Sequence, residues 1–375
     1  MKYCVTCLQP DTRPNTVFTP EGQCPACAYH SAAQGIDWQE RFEIIEDLVA
    51  KHRRADRAGF DCIIGVSGGK DSTRQALWVR DKLGMHPLLV SLSHPPQQVS
   101  GLGVDNVSNL IELGFDVVLS SPAPDTWRRL MHDSFMKFTN WARSSELALF
   151  SSVPQLASRY GIPLIFWGEN PALQVGDLKT MGRNGYDGNN LRYSNTLSSG
   201  HEWMLEAGYP LRDILPYVYP SEAEFVAADI QIVFLGWFLG DWSLVNNAGY
   251  ACPHGLSIRA EGPDQTGDLL GLSNLDEDWH NMNQMVKYLK FGFGKVTEYV
   301  NEAMRAGTMD RATAIDLVER YDGQCAPRYI RSFCDFIGIS EERFWQHVHA
   351  STNRELFDVG SDGSISRRFR VGEGL

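Results

Sequence analysis

Ser67-Gly68-Gly69-Lys70-Asp71-Ser72 follows an apolar run, Ile63-Ile64-Gly65-Val66, and leads into a segment with helical spacing. Residues of these types at such a junction make an anion cradle. The glycines let the backbone close on phosphate oxygens, and a new helix offers unpaired N–H groups and the positive end of its dipole. Ser67, Ser72 and Lys70 add donors. The string is not a Walker A loop, which has four residues between its glycines and a Lys followed directly by Ser or Thr; here Asp71 follows Lys70. A glycine-rich turn without a ligand is the plain alternative.

A second constellation lies at the start of the chain. Cys4-x2-Cys7 and Cys24-x2-Cys27 are separated by sixteen residues, a spacing that lets two thiolate pairs close on one ion. Four thiolates make a closed, structural zinc site of the ribbon or knuckle kind, with no open position for water. A redox pair and a metal-free knuckle are the alternatives. Cys62 falls in an apolar run and reads as a small core residue, while Cys252, Cys325 and Cys334 show no paired spacing.

The elements around the loop alternate. Asp61–Val66, Pro87–Leu92, Asp116–Leu119 and Pro163–Trp167 read as buried strands. Asp71–Leu83, Val104–Leu113 and two stretches between Pro124 and Tyr160 read as helices. This rhythm predicts an α/β fold with a parallel sheet covered on both faces. Ligands of such sheets lie at the carboxyl ends of the strands. That draws Ser91, Ser93 and His94 after the second strand into the candidate site, along with Gly168-Glu169-Asn170 after the last strand identified. Glu169 and Asn170 could hold a divalent cation or orient an acceptor group, or form only a polar turn. Asn106 and Asn109 open a helix, where Asn is commonly a cap.

The expected organisation is a cysteine knuckle over residues 1–35, a helical connector over 36–58, a nucleotide domain over 59–200 and a mainly helical region over 201–375. Trp38 to about Ala55 is amphipathic through Phe42, Ile45, Leu48 and Val49. Leu178 to about Gly200 reads as loop and a possible lid, Ser221–Leu239 and Asp276 to about Tyr321 as largely helical, and the last fifteen residues as a fraying tail.

The loop string resembles the PP-loop of ATP pyrophosphatases, the adenine nucleotide alpha hydrolase-like fold. The resemblance implies that Ser67–Ser72 hold the β and γ phosphates of ATP as a leaving pyrophosphate and that Asp71 helps to hold Mg²⁺. It also places Ser91 and Ser93 near the adenine and ribose; His94 reads equally as a plain loop histidine. Lys287-Tyr288-Leu289-Lys290-Phe291-Gly292-Phe293-Gly294-Lys295-Val296-Thr297, Arg305-Ala306-Gly307 and Met309-Asp310-Arg311 through Ile315, closing with Tyr321-Asp322-Gly323, narrow the resemblance. They, with Gly168-Glu169-Asn170-Pro171, are similar to the N-acetyl sugar amidotransferases of bacterial surface-polysaccharide and nonulosonic-acid pathways. Lys295 and Glu298 depart from that pattern, where Arg and Asp are expected.

That family implies conversion of an acetamido group of a nucleotide sugar to acetamidino through an O-adenylyl imidate. Lys70, Asp71 and Glu169 are then the catalytic candidates, and Asn106, Asn170, Lys290, Lys295 and Arg311 the substrate-binding ones, although surface Lys and Arg are usually solvated. No glutaminase arrangement is visible in the sequence. The resemblance therefore implies ammonia from a separate glutaminase subunit paired with a cyclase-like barrel protein.

The composition limits the rivals. Lys and Arg number 34 against 46 Asp and Glu, a net charge of −12, which repels phosphate backbones and counts against a nucleic-acid substrate. A tRNA thiolase, which also joins a knuckle to a PP-loop, is the second reading; a nucleotide-sensing scaffold is the third. No run of about 18 apolar residues suggests a membrane span, and Met1-Lys2-Tyr3-Cys4 lacks a signal-peptide run, so a cytoplasmic location is expected.

Overall fold

The computed structural model describes residues 1–53, 59–176, 184–194, 197 and 200–374. After the cysteine loops come α1 (Pro25–Ala33) and α2 (Trp38–Ala50), the latter capped by Asp37, whose carboxylate accepts from Gln39 N and Glu40 N. Helix α2 ends at Ala50 with Lys51 as its C-cap, short of the expected end near Ala55; residues 54–58 lie outside the described residues. A strand–helix alternation follows: β1 (Cys62–Gly65), α3 (Lys70–Asp81), β2 (Pro87–Leu92), α4 (Gly101–Glu112), β3 (Asp116–Ser120), α5 (Pro124–Phe138), α6 (Ala142–Tyr160) and β4 (Leu164–Trp167).

Next come α7 (Pro171–Val175), the short helices α8 (Glu202–Glu206), α9 (Leu211–Ile214) and α10 (Glu222–Ala227), and β5 (Gln231–Phe234). The remainder is α11 (Leu244–Ala251), α12 (Pro263–Thr266), α13 (His280–Phe291), α14 (Lys295–Arg305), α15 (Arg311–Tyr321), α16 (Pro327–Ile337), α17 (Glu341–Ser351) and a hairpin of β6 (Phe357–Val359) and β7 (Ile365–Arg367).

The large sheet has the order β3-β2-β1-β4-β5 with every pair parallel, so the predicted α/β architecture holds. Strand alternation sends successive residues to opposite faces. Ile63, Leu88, Val90, Ile165 and Ile232 join a core shared with α5, α6, α13, α16 and α17. Cys62, Ile64, Leu89, Leu164, Phe166 and Val233 pack the other face with α2, α3 and α4. With helices on both sides, each strand reads as a continuous apolar run.

Two expectations are corrected. Ser221–Leu239 is not largely helical: Gln231–Phe234 is a fifth strand, so the sheet continues beyond residue 200. The apolar run that begins in it continues to Leu239, so its length does not separate strand from helix in sequence. The final residues do not fray, because β7 pairs with β6 and Val371 is buried against Tyr3 and Leu8. Within Leu178–Gly200, residues 178–183, 195, 196, 198 and 199 lie outside the described residues. Residues 187–189 are pinned to β5, with Gly188 N donating to Ile232 O at 2.8 Å and Asn189 Oδ1 accepting from Ile232 N at 2.8 Å. Among the described residues no helix is long and apolar enough to cross a membrane.

Candidate active site

The sheet order fixes where a ligand fits. From β1 the chain steps outward to β2 and β3, then returns to place β4 on the other side of β1. Segments leaving the carboxyl ends of β1 and β4 therefore diverge and open a crevice. Ser67–Asp71 leaves β1 and Gly168–Asn170 leaves β4, so the two strongest sequence candidates meet there.

The loop is held from below. Val66 N donates to Val90 O at 2.8 Å, Ser72 Oγ donates to Gly69 O at 3.1 Å, and Gly69 caps α3 without using a side chain. Gly68 has φ +76°, and a Cβ there would stand 2.9 Å from Asn106 Cβ and 3.0 Å from its carbonyl carbon. Only glycine combines that backbone with that approach. Asn106 is thus the floor under the loop, and its amide is engaged with Ser257: Nδ2 donates to Ser257 O at 2.9 Å and Oδ1 accepts from Ser257 N at 2.8 Å.

Asp71 has the most elaborated surroundings. Lys70 Nζ lies 2.9 Å from its Oδ2, and Asn247 Nδ2 donates to its Oδ1 at 2.6 Å. Asn247 in turn accepts from Arg74 Nη1 at 2.7 Å, and Arg74 pairs with Asp241 at 2.6 Å. Burial alone would raise the Asp71 carboxyl; the charge and hydrogen bond of Lys70, the Asn247 amide and the charge of Lys295 together hold it below its ordinary value. An ionised carboxylate beside a phosphate cradle is suited to a hard cation. Asn247, Arg74 and Asp241 were not singled out in sequence, since only folding brings α11 against α3.

Glu169 is the counterpart across the crevice. Although Glu169 keeps a solvent-exposed edge, desolvation by the protein packed around it is the main cause that pushes its carboxyl up to about 7, with the negative charge of Asp71 adding to it and Lys70 opposing. Between the two carboxyls lies a cavity of about 170 Å³, lined among others by Gly65, Ser67, Asp71, Leu92, Val153 and Trp167. A Cβ on Gly65 would meet Val153 Cγ2 at 3.0 Å, so glycine keeps this end open. A larger cavity, about 410 Å³, lies among Arg129, Tyr209 and Gly338. It contains no part of the loop, and chemistry rather than size selects the smaller one.

The other sequence candidates divide. Ser91 is buried within β2, while Leu92 lines the cavity. Ser93 N donates to Ser120 O at 2.8 Å. His94 Nε2 lies 3.2 Å from Asp276 Oδ2, its ring edge-on to Trp127, and Asp276 with Glu277 favours its charged form despite burial. Asn170 caps α7 through Leu173 N and donates to Gly236 O at 3.2 Å. Lys290 Nζ donates to Phe138 O at 3.0 Å. Arg311 Nη1 donates to the carbonyls of Cys4 and Cys7 at 3.2 and 3.0 Å. Of the C-terminal candidates Lys295 is the one whose charge acts on Asp71.

The four N-terminal cysteines are buried with their sulfurs within 4.8 Å of one another, and Cys7 Sγ lies 3.7 Å from Cys24 Sγ. Sulfurs bound tetrahedrally at about 2.3 Å from one ion stand about 3.8 Å apart, so the set fits a metal ion. Cys24 N and Gln9 N point at Cys4 Sγ and Cys7 Sγ at 3.1 and 3.4 Å, donors suited to thiolates. The knuckle touches both sides of the crevice. Its α1 packs on α7, where a Cβ on Gly176 would stand 2.6 Å from Pro25 Cβ, and Leu8 N donates to Asn301 Oδ1 of α14 at 2.7 Å.

Fold and site together define an α/β protein with a glycine-rich strand-to-helix loop at the switch point of a parallel sheet and a cysteine cluster whose geometry fits a metal ion. Residues 274–368, about a quarter of the chain, match the family described as LPS biosynthesis protein WbpG-like, C-terminal domain. No curated protein matches the sequence significantly. Solved structures similar to the chain include NMN synthetase from Francisella tularensis, with 15% identity over 52% of this chain and 93% of that one and a TM-score of 0.27. Another is the NH3-dependent NAD synthetase of Campylobacter jejuni in complex with nitrate ion, with 12% identity, 76% and 94% coverage and a TM-score of 0.28. A third is the U34-tRNA thiolase NcsA of Methanococcus maripaludis with its [4Fe-4S] cluster, with 11% identity, 90% and 95% coverage and a TM-score of 0.28. Likenesses of this size carry no argument about chemistry.

Proposed function

We propose that the chain is an ATP-dependent amidotransferase of lipopolysaccharide or O-antigen biosynthesis that converts an acetamido group of a nucleotide-linked sugar to acetamidino. The observation that carries the reading is Asp71, ionised between Lys70 and Asn247 on a glycine loop at the switch point. The matched C-terminal family supports the pathway, and the residues shared with sugar amidotransferases support the acceptor.

In this reading Ser67–Ser72 cradle the β and γ phosphates of ATP, and the cavity beside Gly65 and Trp167 takes the adenosine. Asp71 and Glu169, which line the same cavity, are the carboxylates that would hold Mg²⁺, and the ion would supply charge to neutralise a departing pyrophosphate. Lys70 adds a fixed positive charge there. The acetamido oxygen attacks the α phosphorus, the bond to the bridging α–β oxygen breaks, and pyrophosphate leaves; the amide nitrogen gives up its proton to form the O-adenylyl imidate. Ammonia adds at the imidate carbon and AMP departs, leaving the amidine. Ammonia comes from a partner glutaminase with a cyclase-like barrel protein. The knuckle holds Zn²⁺ in a structural role.

The test is a screen of UDP- and CMP-linked N-acetyl sugars with ATP, Mg²⁺ and ammonium, read by mass. Replacement of oxygen by NH lowers the product by about one mass unit, and AMP and pyrophosphate appear in equal amounts. Lys70→Ala and Asp71→Ala abolish both signals while keeping the fold. Product with tRNA and a sulfur donor instead, or full turnover in both variants, overturns the reading.

A further inference from the structure

Helix α13 has no fully exposed residue, yet His280, Gln284 and Lys287 form a polar stripe at i, i+4 and i+7. A helix walled in by protein is normally apolar all round, so a polar stripe there needs partners. Lys295, at the start of α14, joins it, and Arg13 arrives from the knuckle. All three cations converge on one carboxylate: Arg13 Nη2, Lys287 Nζ and Lys295 Nζ stand 2.8, 3.0 and 3.7 Å from Glu298. Phe293 lies beneath, with Arg13 4.5 Å and Lys287 4.9 Å from its ring centre.

The nearby carboxylate of Asp322 is already engaged. It accepts from Gly294 N at 2.7 Å, Val296 N at 2.9 Å and the Thr297 hydroxyl at 2.6 Å, closing the start of α14. Three cations thus share Glu298 while the second carboxylate serves a helix end. Positive charge in excess, with Lys287 and Lys295 each only 24% exposed, is costly unless an anion joins it. Burial and the charges of Lys295 and Lys287 also push His280 down to about 3, so it stays a neutral hydrogen-bonding group. Helix α14 also connects this cluster to the loop: Glu302, two turns beyond Lys295, accepts from Leu244 N at the start of α11, and Asn247 of α11 donates to Asp71 Oδ1.

We infer that Lys287, Lys295 and Arg13 form a second anion site, facing the phosphate loop, that takes the diphosphate of a nucleoside-diphosphate-linked acceptor. His280 and Gln284 lie beside it, paired with each other through Nε2 at 2.5 Å, which leaves Gln284 Oε1 as the acceptor for a hydroxyl group. Two ammonium groups suit a diphosphate as point charges, and Glu298 holds them apart until the ligand takes over part of their pairing. The site rests on the reading of the loop as the ATP site and extends it to the second substrate; Arg13, Lys287, His280 and Gln284 carry no other assignment.

The experiment fills the loop first. The full chain is saturated with α,β-methylene-ATP and Mg²⁺ and titrated with UDP by calorimetry, then separately with inorganic pyrophosphate. UDP binds the filled protein, and Lys287→Met and Lys295→Met each weaken it about tenfold or more, while in Lys287→Met the affinity for α,β-methylene-ATP stays unchanged. Lys287→Arg and Lys295→Arg restore most of the binding, which separates lost charge from lost fold. Pyrophosphate binding that falls in the same variants supports the diphosphate as the recognised group. No UDP binding with the loop filled, UDP that displaces α,β-methylene-ATP, or equal UDP affinity in both methionine variants overturns the inference. Failure of α,β-methylene-ATP to bind would instead sink the loop reading and leave the UDP titration readable by itself.

Discussion

Asn247 Nδ2 donates to Asp71 Oδ1 at 2.6 Å across 176 residues of sequence, and its Oδ1 accepts from Arg74 at 2.7 Å. The amide is therefore fixed in orientation by a guanidinium on one side and a carboxylate on the other. Asn247→Ala leaves Asp71 steered by Lys70 alone. A hydrogen bond to a charged group contributes about 1.5–3 kcal/mol, so AMP release is expected to fall about 10- to 100-fold. Activity is measured against Mg²⁺ concentration, with circular dichroism as the fold control; an unchanged rate would remove Asn247 from the site.

Gly68→Ala tests the loop backbone. The new methyl group would meet Asn106 at 2.9 Å on a backbone of φ +76°, so both strain and contact oppose it. A left-handed residue with a Cβ costs about 1–2 kcal/mol before the clash is counted. The thermal midpoint should drop by several degrees and ATP affinity by more than tenfold, while Gly84→Ala, with φ +60° and open space around it, lowers stability alone.

Glu169 sets a pH dependence. Its carboxyl is pushed up to about 7, chiefly by desolvation, so with its ionised form required, kcat/KM rises with pH through about 7 and levels above. Glu169→Gln removes that limb and most of the rate. Stability moves the other way: between about 4.5 and 7 the folded protein keeps a proton that the unfolded chain releases, so this group makes the fold less stable as pH rises. Glu169→Gln should therefore gain in relative stability from pH 5 to pH 8, measured as the difference in thermal midpoint.

The knuckle is expected to bind one metal ion per chain, since its four sulfurs lie within 4.8 Å of one another. Plasma spectrometry of the purified protein should find about one equivalent, and Cys7→Ser should lose it. Because Cys4 and Cys7 present their carbonyls to Arg311, strong chelators should lower the thermal midpoint of the whole chain rather than of the first 30 residues alone. Metal-free protein with an unchanged midpoint would make the cluster a plain thiol group.

The loop was legible because an anion cradle is local: two glycines, a Lys and a helix start lie within six residues. The first four strands were legible for a similar reason, since burial on both faces writes a continuous apolar run. Gln231–Phe234 escaped because the apolar run continues past it through Leu235 and Trp237 to Leu239, a length that also suits a helix. Lys290 and Arg311 carried the same sequence signal as Lys295, a charge near glycine or a helix start. Whether such a cation meets a ligand or a backbone carbonyl depends on Phe138 and Cys7, which no local pattern ties to them. Asn247, Lys287 and Arg13 were invisible alone for the same reason: their partners are 176, 11 and 285 residues away.

The contact of Leu8 with Asn301, 293 residues apart, and of Cys4 with Arg311, 307 apart, also bears on how the chain is made. The knuckle segment leaves the ribosome well before the segment on which it docks. Its thiols can capture an ion early, by local closure, but the surface that receives them does not exist until α14 and α15 have emerged. Synthesis therefore passes through a stage in which a finished N-terminal button waits for its buttonhole, and truncated chains ending before residue 295 would carry it undocked.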